Sequence, residues 1–345
     1  MKKSLGIGVR LADAESVRRY LRQKSVLRDD LKVIKGKEWI YFPVSKIPKD
    51  LQDCKQVERS FDERTRKPRS YKDLAEVPAM LGESLPTSYD IVGDIILIKI
   101  PSKLIAYQQV IGMALLRAHR NIRTVCRVDP VSGELRTRPV VVIAGERRTT
   151  TIHKEHGLSF LVDVQRTYFS PRLASERKRI ACLVHDQETV VDMFTGVGPF
   201  AITIARYASP KIIYAIDKNS EAVRLAKENV LRNHVLDRVE VIQADAKDVD
   251  QAIPVKADRI IMNLPFSAMH FFPHALTIAQ QRCVIHYYDI VREDQIQGRI
   301  GALHESAAAS SFELSTSSIR KMKTYAPREF YIGIDITARK RADVA

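Results

Sequence analysis

The sequence predicts an α/β protein whose C-terminal half is built around an open, mainly parallel sheet. Three observations lead to this fold class. The stretch Val190–Phe200 (VVDMFTGVGPF) runs from apolar residues through an acid to two glycines, and an amphipathic segment follows at 201–207, which is the pattern of a strand, a loop and a helix. Further β-type runs then alternate with helical ones. An acid or an amide follows each of the first three of these runs.

The glycine loop admits two interpretations. Gly196 to Ala201 fits G-x-G-x-x-A, the fingerprint of dinucleotide-binding sites. However, Asp192 at the strand tip would repel a pyrophosphate, and Pro199 removes an N–H from the helical turn where a phosphate finds donors. Both features suit a nucleoside with a cationic amino-acid tail, whose ammonium group pairs with a carboxylate. The loop therefore predicts S-adenosylmethionine rather than NAD.

The later strands extend this prediction along one edge of the sheet. Strands are predicted at 212–216, 238–243, 258–262 and 283–288, with a helix at 220–233. Asp217 follows the first and can hold both ribose hydroxyls, and Asp245 follows the second with room to meet an adenine edge. Asn263 follows the third. Because the carboxyl ends of parallel strands meet at one edge, these polar residues predict a ligand site there.

The C-terminal end predicts how the sheet is completed. A helix remnant is expected at 302–311, and strands at 312–320 and 329–337 form an antiparallel pair around Pro327. Five parallel strands closed by such a pair give the seven-stranded layout of class I, Rossmann-like methyltransferases.

The first half of the chain predicts two smaller α/β or α+β domains. We place a small α/β module at 1–62, a linker at 63–75, a basic middle domain at 76–165 and the sheet domain at 166–345. The linker lies around the charged run DERTRKPRSY, which is nearly free of apolar residues. Strands are expected at 5–9, 38–43, 122–127 and 138–144, and either a strand pair or one long bulged strand at 89–100. Helices are expected at 12–22, 103–119 and 173–185.

Net charge and cysteine spacing narrow the range of possible functions. Lys and Arg exceed Asp and Glu by 15, and residues 117–154 hold nine basic residues against three acids, as expected of a protein that binds a polyanion. The four cysteines show no C-x-x-C spacing, so neither a disulfide framework nor a metal site is predicted. With no long apolar run and no signal core, the protein is expected to be cytoplasmic.

Three segments carry a resemblance to a known family: Tyr168–Arg177 (YFSPRLASER), Asp192–Phe200 (DMFTGVGPF) and Asn263–Pro265 (NLP). With them, the chain resembles along nearly its whole length the archaeal and eukaryotic tRNA (guanine-N1)-methyltransferases. These enzymes methylate the guanine immediately 3′ of the anticodon, at position 37 of tRNA. The resemblance implies that the two N-terminal domains bind tRNA and that the sheet domain binds S-adenosylmethionine.

The resemblance also implies roles for single residues. Glu176 would be the general base, Arg136 and Asn263 would contact the target guanine, and Tyr168 and Pro265 would shape its pocket. The predicted cofactor-binding residues are Arg172 or Arg177, Asp192, Phe194, Gly196, Gly198, Asp217, Lys218, Asp245, Ala246 and Asn263.

The chemistry of the reaction agrees with these roles. Guanine N1 carries a proton at neutral pH, so a base must remove it as the methyl group arrives, and partial burial would raise the pKa of Glu176 toward the working pH. Arg136 could donate to guanine O6, where negative charge develops. The guanine must also be turned out of the anticodon stack to reach a recessed cofactor.

Partners and alternatives complete the predictions. The anticodon stem-loop and the body of tRNA are the expected partners of a monomer that contacts no membrane. The first alternative is a sister enzyme that transfers the aminocarboxypropyl group of the same cofactor, or that methylates a modified guanosine in wybutosine-type tRNA modification; the Asn263–Pro265 segment argues against both. Methylation of another RNA base, an NAD-dependent oxidoreductase and a cofactor-binding RNA chaperone also stay open.

Overall fold

Residues 1–51, 54–64, 70–129 and 138–342 are described by the computed structural model, and their contacts divide the chain into two units, Met1–Asp73 and Leu74–Ala345. The middle segment of the chain belongs to the same unit as the predicted methyltransferase sheet. The finer division into domains at 1–62, 76–165 and 166–345 stays a prediction. In the described part, no helix is long and apolar enough to cross a membrane.

The first unit is one antiparallel sheet with a helix. Its elements are β1 (Lys2–Arg10), α1 (Ala14–Gln23), β2 (Ile34–Lys35), β3 (Trp39–Val44) and β4 (Lys55–Phe61). The strand order is β2-β3-β1-β4, and Ile7, Leu21 and Phe42 lie in the core between sheet and helix. The sequence predicted β1, α1 and β3. It missed β4 because this strand, KQVERSF, is polar and mostly exposed at the edge of the sheet.

The second unit begins with a small mixed sheet and a hairpin. Its elements are α2 (Ala79–Gly82), β5 (Asp90–Val92), β6 (Ile95–Ile98), α3 (Gln108–Ala118), β7 (Thr124–Val128), β8 (Val140–Gly145), β9 (Thr150–Glu155) and β10 (Leu158–Asp163). The small sheet has the order β5-β6-β7-β8, with β6 and β7 parallel, and β9 pairs with β10. Of the two alternatives predicted for 89–100, the strand pair is confirmed: β5 and β6 form a tight hairpin in which Gly93 turns the chain with φ of +56°.

The main sheet carries the rest of the unit. Its elements are α4 (Ala174–Ala181), β11 (Thr189–Asp192), α5 (Pro199–Tyr207), β12 (Ile212–Asp217), α6 (Ser220–Arg232), β13 (Val239–Gln243), α7 (Val249–Ala252), β14 (Ala257–Met262), α8 (Ala268–Thr277), β15 (Ala279–Arg292), α9 (Ile296–Ala309), β16 (Phe312–Ala326) and β17 (Glu329–Lys340). The order is β13-β12-β11-β14-β15-β17-β16. The first five strands are parallel and β17 is antiparallel to both its neighbours. The predicted fold class is confirmed.

The central strands β11, β12 and β14 are almost fully buried because both faces of the sheet are covered there, whereas the edge strand β16 is polar and partly exposed. Along β11, Val190 packs into the core beneath α4, α5 and α6, whereas Val191 packs into the core with α8 and α9. Helix α9 begins six residues before the predicted start at 302, since Gly298 and Gly301 weaken the helical pattern without preventing the helix.

Candidate active site

A cavity of about 670 Å³ lies at the carboxyl edge of the parallel strands of the main sheet. Most of the predicted site residues line it: Tyr168, Arg172, Arg177, Phe194, Gly196, Asp217, Lys218, Asp245, Ala246, Asn263 and Pro265. Glu176, Asp192 and Gly198 are not on its wall. Arg136 lies outside the described residues. The structure thus brings together side chains that the sequence spreads over nearly one hundred positions.

The loop between β11 and α5 turns at its two glycines. Gly196 and Gly198 have φ values of +57° and +87°, a backbone region that other residues adopt only under strain. Gly196 lines the cavity. Gly198 is the N-cap of α5, where a Cβ atom would come within 3.0 Å of Ile202 Cδ1. Gly198 therefore shapes the turn, and the structure does not support direct contact with a ligand.

Asp217 at the end of β12 is held by the backbone. Its Oδ2 accepts a hydrogen bond of 2.7 Å from the N–H of Gly196, and its Oδ1 accepts one of 2.9 Å from the N–H of Asn219. Burial raises the pKa of Asp217, although these backbone donors oppose the shift. Each oxygen has capacity for a further hydrogen bond, so the carboxylate can accept from two ribose hydroxyls.

The next strand end places a second acid on the wall. Asp245 Oδ1 accepts from the N–H of Lys247 at 3.0 Å, and its Oδ2 pairs with Lys218 Nζ at 3.0 Å. The backbone hydrogen bond from Lys247, with the nearby lysine charges, keeps the pKa of Asp245 below its ordinary value. Ala246 beside it is small and buried. This part of the wall can hold a flat ring against an apolar surface and a polar edge.

Asp192 at the tip of β11 has a different environment. Its side chain is fully buried, and neither carboxylate oxygen accepts a well-formed hydrogen bond from the described residues. Burial raises its pKa to about 7, with a contribution from the charge of Asp217, although the Thr195 hydroxyl and the Phe194 N–H lie near enough to oppose the shift. Asp192 therefore lies beneath the loop, and the prediction that it binds the cofactor directly is not supported.

The two candidate arginines differ in how they are used. Arg177 is buried in a pair with Glu155, in which its Nε donates at 2.7 Å to Oε1 and a second nitrogen contacts Oε2, and it also donates to the Ser170 carbonyl at 3.1 Å. Arg172 is half exposed and pairs with Asp90 at 2.6 Å through Nε. Because Nε and one terminal nitrogen of Arg177 are committed within the fold and the side chain is buried, the more exposed Arg172 is the better placed of the two to meet a ligand.

Asn263 begins the turn that follows β14. Its Oδ1 accepts a short hydrogen bond from the Tyr331 hydroxyl on β17, and the turn is closed by the Ser267 N–H, which donates to the Leu264 carbonyl at 3.1 Å. Pro265 is buried within the turn. Since the Asn263 oxygen accepts from Tyr331, its amide NH₂ group is the part of the side chain that can donate to a ligand in the cavity.

Glu176 lies in a buried ionic network behind this wall. Arg179 donates to its two oxygens at 2.9 and 2.7 Å, the Tyr288 hydroxyl donates to Oε1 at 2.8 Å, and Arg320 donates to the same oxygen at 3.3 Å. Burial alone would raise the pKa of Glu176, but these hydrogen bonds and the two arginine charges lower it below its ordinary value. The expectation of a raised pKa is therefore wrong for the protein without tRNA, because four donors stabilise the carboxylate.

The network continues to a second carboxylate. Both Arg179 and Arg320 also bind Asp335, with distances of 2.8–3.2 Å. His286 Nδ1 lies 2.7 Å from Asp335, and its Nε2 lies 2.8 Å from Arg259. Since an arginine only donates, Nε2 must accept and Nδ1 must carry the proton given to Asp335. Burial opposes the shift, but hydrogen bonds from His286 and the arginines hold the pKa of Asp335 well below its usual range.

Two tyrosines connect Glu176 to the cavity. The ring of Tyr288, whose hydroxyl binds Glu176, stacks on the ring of Tyr331 with centroids 6.2 Å apart. Tyr331 lines the cavity and binds Asn263. Glu176 is thus one layer of tyrosine rings behind the predicted guanine-binding amide.

Sequence reasoning missed the contribution of the C-terminal hairpin and of the small mixed sheet. Lys323, Thr324, Tyr325 and Tyr331 come from the hairpin, and Lys99 and Arg138 from the region of the small sheet. No local pattern marks these residues, because a strand end far along the chain reaches the site only through tertiary packing. Among the described residues, no group of three or more His, Cys, Asp or Glu is arranged to hold a metal ion.

Comparison with known proteins gives two matches to family models. The TRM5/TYW2 methyltransferase domain matches residues 151–314, and the TYW2 N-terminal domain matches residues 73–149. The chain is 37% identical over 334 residues to the tRNA (guanine(37)-N(1))-methyltransferase Trm5b of Pyrococcus abyssi, covering 96% of this chain and 98% of the relative. It is 36% identical over 219 residues to the tRNA(Phe) (4-demethylwyosine(37)-C(7)) aminocarboxypropyltransferase of Methanocaldococcus jannaschii, covering 62% of this chain and 86% of the relative.

Solved structures give the same picture. Trm5b from Pyrococcus abyssi aligns with a TM-score of 0.78 at 37% identity, covering 97% of this chain and 99% of that structure. A complex of aTrm5 with tRNALeu aligns with a TM-score of 0.75 at 31% identity, covering 96% of this chain and 99% of that structure. TYW2 of M. jannaschii in complex with AdoMet aligns with a TM-score of 0.57 at 29% identity, covering 73% of this chain and 100% of that structure. The full-length similarity to Trm5b and the domain match show that this chain belongs to the TRM5/TYW2 methyltransferase family.

Proposed function

We propose that this protein transfers the methyl group of S-adenosylmethionine to N1 of guanine 37 in tRNA, the guanine 3′-adjacent to the anticodon. The observation that carries the proposal is the cavity in which Asp217, Asp245 and Asn263 meet at the carboxyl edge of a methyltransferase sheet. The full-length similarity to Trm5b supports the same substrate.

The residues of the cavity fit S-adenosylmethionine. Its volume of about 670 Å³ lies within the range of small-molecule sites. Asp217 has lone pairs for the ribose hydroxyls, and Asp245 and Ala246 suit the adenine. Pro199 at the start of α5 has no N–H to offer a phosphate, which disfavours a dinucleotide. When bound, the cofactor supplies an electrophilic methyl group on a sulfonium centre.

The chain must orient guanine and remove its N1 proton. Asn263 would donate to the base edge, Tyr168 and Pro265 would bound the pocket, and Arg136 would meet O6. Glu176 would accept the N1 proton as general base. Because its carboxylate is held by Arg179, Tyr288 and Arg320 behind the tyrosine layer, tRNA binding must give it access to the guanine. Apo geometry of this kind is compatible with a base that engages only in the substrate complex.

The remaining partner is the tRNA body. The basic residues of 117–154 and the positively charged first unit would hold its phosphates, while the anticodon loop presents the flipped guanine. We propose that a monomer is sufficient, since the residues assigned to the site come from one chain. We also propose that the enzyme works in the cytoplasm.

The direct test is nucleoside mass spectrometry. Unmodified tRNA with guanine at position 37 is incubated with the protein and S-adenosylmethionine, digested and analysed. N1-methylguanosine is the expected product, and a tRNA with adenosine at position 37 is the matched control. Absence of a methylated nucleoside under conditions where the cofactor binds would contradict the proposed function.

A second candidate is supported by one observation. The match of residues 73–149 to the TYW2 N-terminal domain, together with the aminocarboxypropyltransferase relative, makes transfer of the aminocarboxypropyl group the main alternative. The same assay on tRNA that already carries 4-demethylwyosine separates the two, because aminocarboxypropyl transfer would leave an aminocarboxypropyl adduct on that base and release methylthioadenosine. The larger share of the chain aligned to Trm5b favours methylation.

A further inference from the structure

Two aromatic side chains are exposed on the wall of the cavity. Phe266 follows the turn after β14, Tyr325 lies near the end of β16, and both line the cavity. Each is 51% exposed, and their rings meet edge to face with centroids 5.4 Å apart and an interplanar angle of 74°. Contiguous exposed apolar surface at a ligand site is one of the marks of a binding surface.

The Phe266 ring is presented by a strained backbone. Its φ of +70° is unfavourable for a bulky residue. The conformation is held by a 2.9 Å hydrogen bond from its N–H to Oδ1 of buried Asp289, which also accepts from the Tyr287 hydroxyl at 2.8 Å and pairs with Arg299 at 3.0 Å. Strain of this kind concentrates at binding sites, where the surrounding structure keeps a side chain in place.

Positive charge lines the same cavity as the aromatic pair. Six of the described basic side chains line this cavity, and four of them influence one another: Lys99, Arg138, Arg172 and Lys323. Lys323 is two residues before Tyr325 on β16. Burial, followed by the charges of the other three, lowers the pKa of Lys323, and Asp90 opposes the shift only in part. An anion between these groups would relieve their repulsion, so this wall suits a ligand with both an aromatic ring and a phosphate.

We propose that Phe266 and Tyr325 form a stacking site for the RNA base next to the flipped guanine, with its phosphate near the four cations. This inference depends on the proposed function. Turning one base out of a stacked loop leaves its neighbours without a stacking partner, and aromatic side chains replace that contact in single-stranded RNA recognition. Phe266 lies three residues after Asn263 in the same turn, so its ring is close to where the guanine is expected.

The experiment measures the dissociation constant of in vitro transcribed tRNA for variants of the full chain. Phe266→Leu and Tyr325→Leu remove the ring but keep an apolar side chain, and each should weaken binding by about 5- to 150-fold, the usual effect of one lost stacking contact. Phe266→Tyr and Tyr325→Phe keep the ring and should stay close to wild type. Tyr207→Leu, an exposed ring at the far end of α5, is the matched control and should not change affinity.

A double-mutant cycle assigns the contact to a base. Two further tRNAs carry an abasic residue on the 5′ or the 3′ side of the target guanine. Wild type should lose about 5- to 150-fold in affinity for one of them, and Phe266→Leu should lose little more on that same tRNA, because the stacking contact is already absent. If Phe266→Leu does not fold, Tyr325→Leu takes its place in the cycle, so the test remains informative.

The outcomes separate this inference from the proposed function. If wild type methylates intact tRNA, but the abasic and Phe266→Leu effects are additive for both neighbours, the stacking site is wrong and the proposed function stands. Unchanged affinity of both folded leucine variants would overturn it as well. If no methylated nucleoside forms with intact tRNA, the proposed function itself fails.

Discussion

Helix α4 and the tip of β11 each bury a carboxyl group, and the pKa values of the two groups are shifted in opposite directions. Glu176 on α4 accepts hydrogen bonds from two arginines and a tyrosine, and its pKa lies below its ordinary value. Asp192 on β11 has no well-formed hydrogen bond among the described residues, and burial raises its pKa to about 7.

The difference shows that burial alone does not set the charge of an acid in this protein. What decides it is whether donors from other elements reach the carboxylate. Helix α4 receives Tyr288 from β15 and Arg320 from β16, whereas the β11 tip is covered by a loop whose Gly196 N–H donates to Asp217 instead. At neutral pH Glu176 is therefore ionised, whereas Asp192 is only partly ionised.

The largest effect is expected from a substitution of Glu176, the ionised acid of the two. Glu176→Gln keeps the shape but loses basicity, so the single-turnover methylation rate should fall by roughly 10²–10⁴-fold with little change in tRNA or cofactor affinity. Because the pKa of Glu176 is lowered, its ionisation should not appear in the wild-type rate between pH 6 and 8. Glu228→Gln on α6, a half-exposed glutamate that also pairs with two arginines, is the control. A Glu176→Gln rate close to wild type would remove Glu176 as the base.

The second prediction tests the raised pKa of Asp192 through the pH dependence of the free energy of unfolding. Unfolded Asp192 releases its proton near pH 3.8, but the folded protein retains it until about pH 7, so the folded state binds more protons in this window. The free energy of unfolding should therefore decrease as pH rises from about 4 to 7, by up to about 4 kcal/mol from this group. Asp192→Asn should lack this decrease. Urea unfolding of both proteins across the window measures it, and parallel curves would contradict the buried, unpartnered state.

The third prediction concerns Asp217, whose carboxylate accepts the backbone hydrogen bonds that Asp192 lacks. Asp217→Ala should weaken S-adenosylmethionine binding by about 1–3 kcal/mol, because charge-assisted hydrogen bonds to the ribose are lost. Titration calorimetry measures the affinity, and Asp250→Ala, an exposed acid on α7, is the control. Equal affinity in a folded Asp217→Ala protein would place the ribose elsewhere.

The smallest effect comes from removing one donor to Glu176. Tyr288→Phe deletes the hydroxyl that donates at 2.8 Å and should reduce the free energy of unfolding by about 0.5–1.5 kcal/mol. Tyr207→Phe, whose hydroxyl binds the His156 carbonyl at the surface, should cost less. Thermal unfolding of both variants gives the comparison. A larger loss in Tyr207→Phe would mean that Tyr288 contributes little to the network.

Sequence patterns predicted most of the main sheet. Strands such as β11 and β14 are short apolar runs because both of their faces are buried, and the glycines of the β11–α5 loop mark a turn that other residues cannot adopt without strain. The polar strands β4 and β9 were not predicted as strands, since few of their residues enter a core and no alternation is visible.

The acids at the strand ends show where the sequence alone stops being sufficient. Asp192 and Asp217 each end an apolar run, and the pattern therefore assigned both to the cofactor. Packing separates them, because the N–H groups of Gly196 and Asn219 point to Asp217 while the loop encloses Asp192. Tyr325 and Arg320 come from a hairpin more than one hundred residues beyond the glycine loop. Periodicity and turn residues are local signals and determine the elements, whereas charge state and the shape of the cavity depend on donors and rings that only tertiary packing brings together.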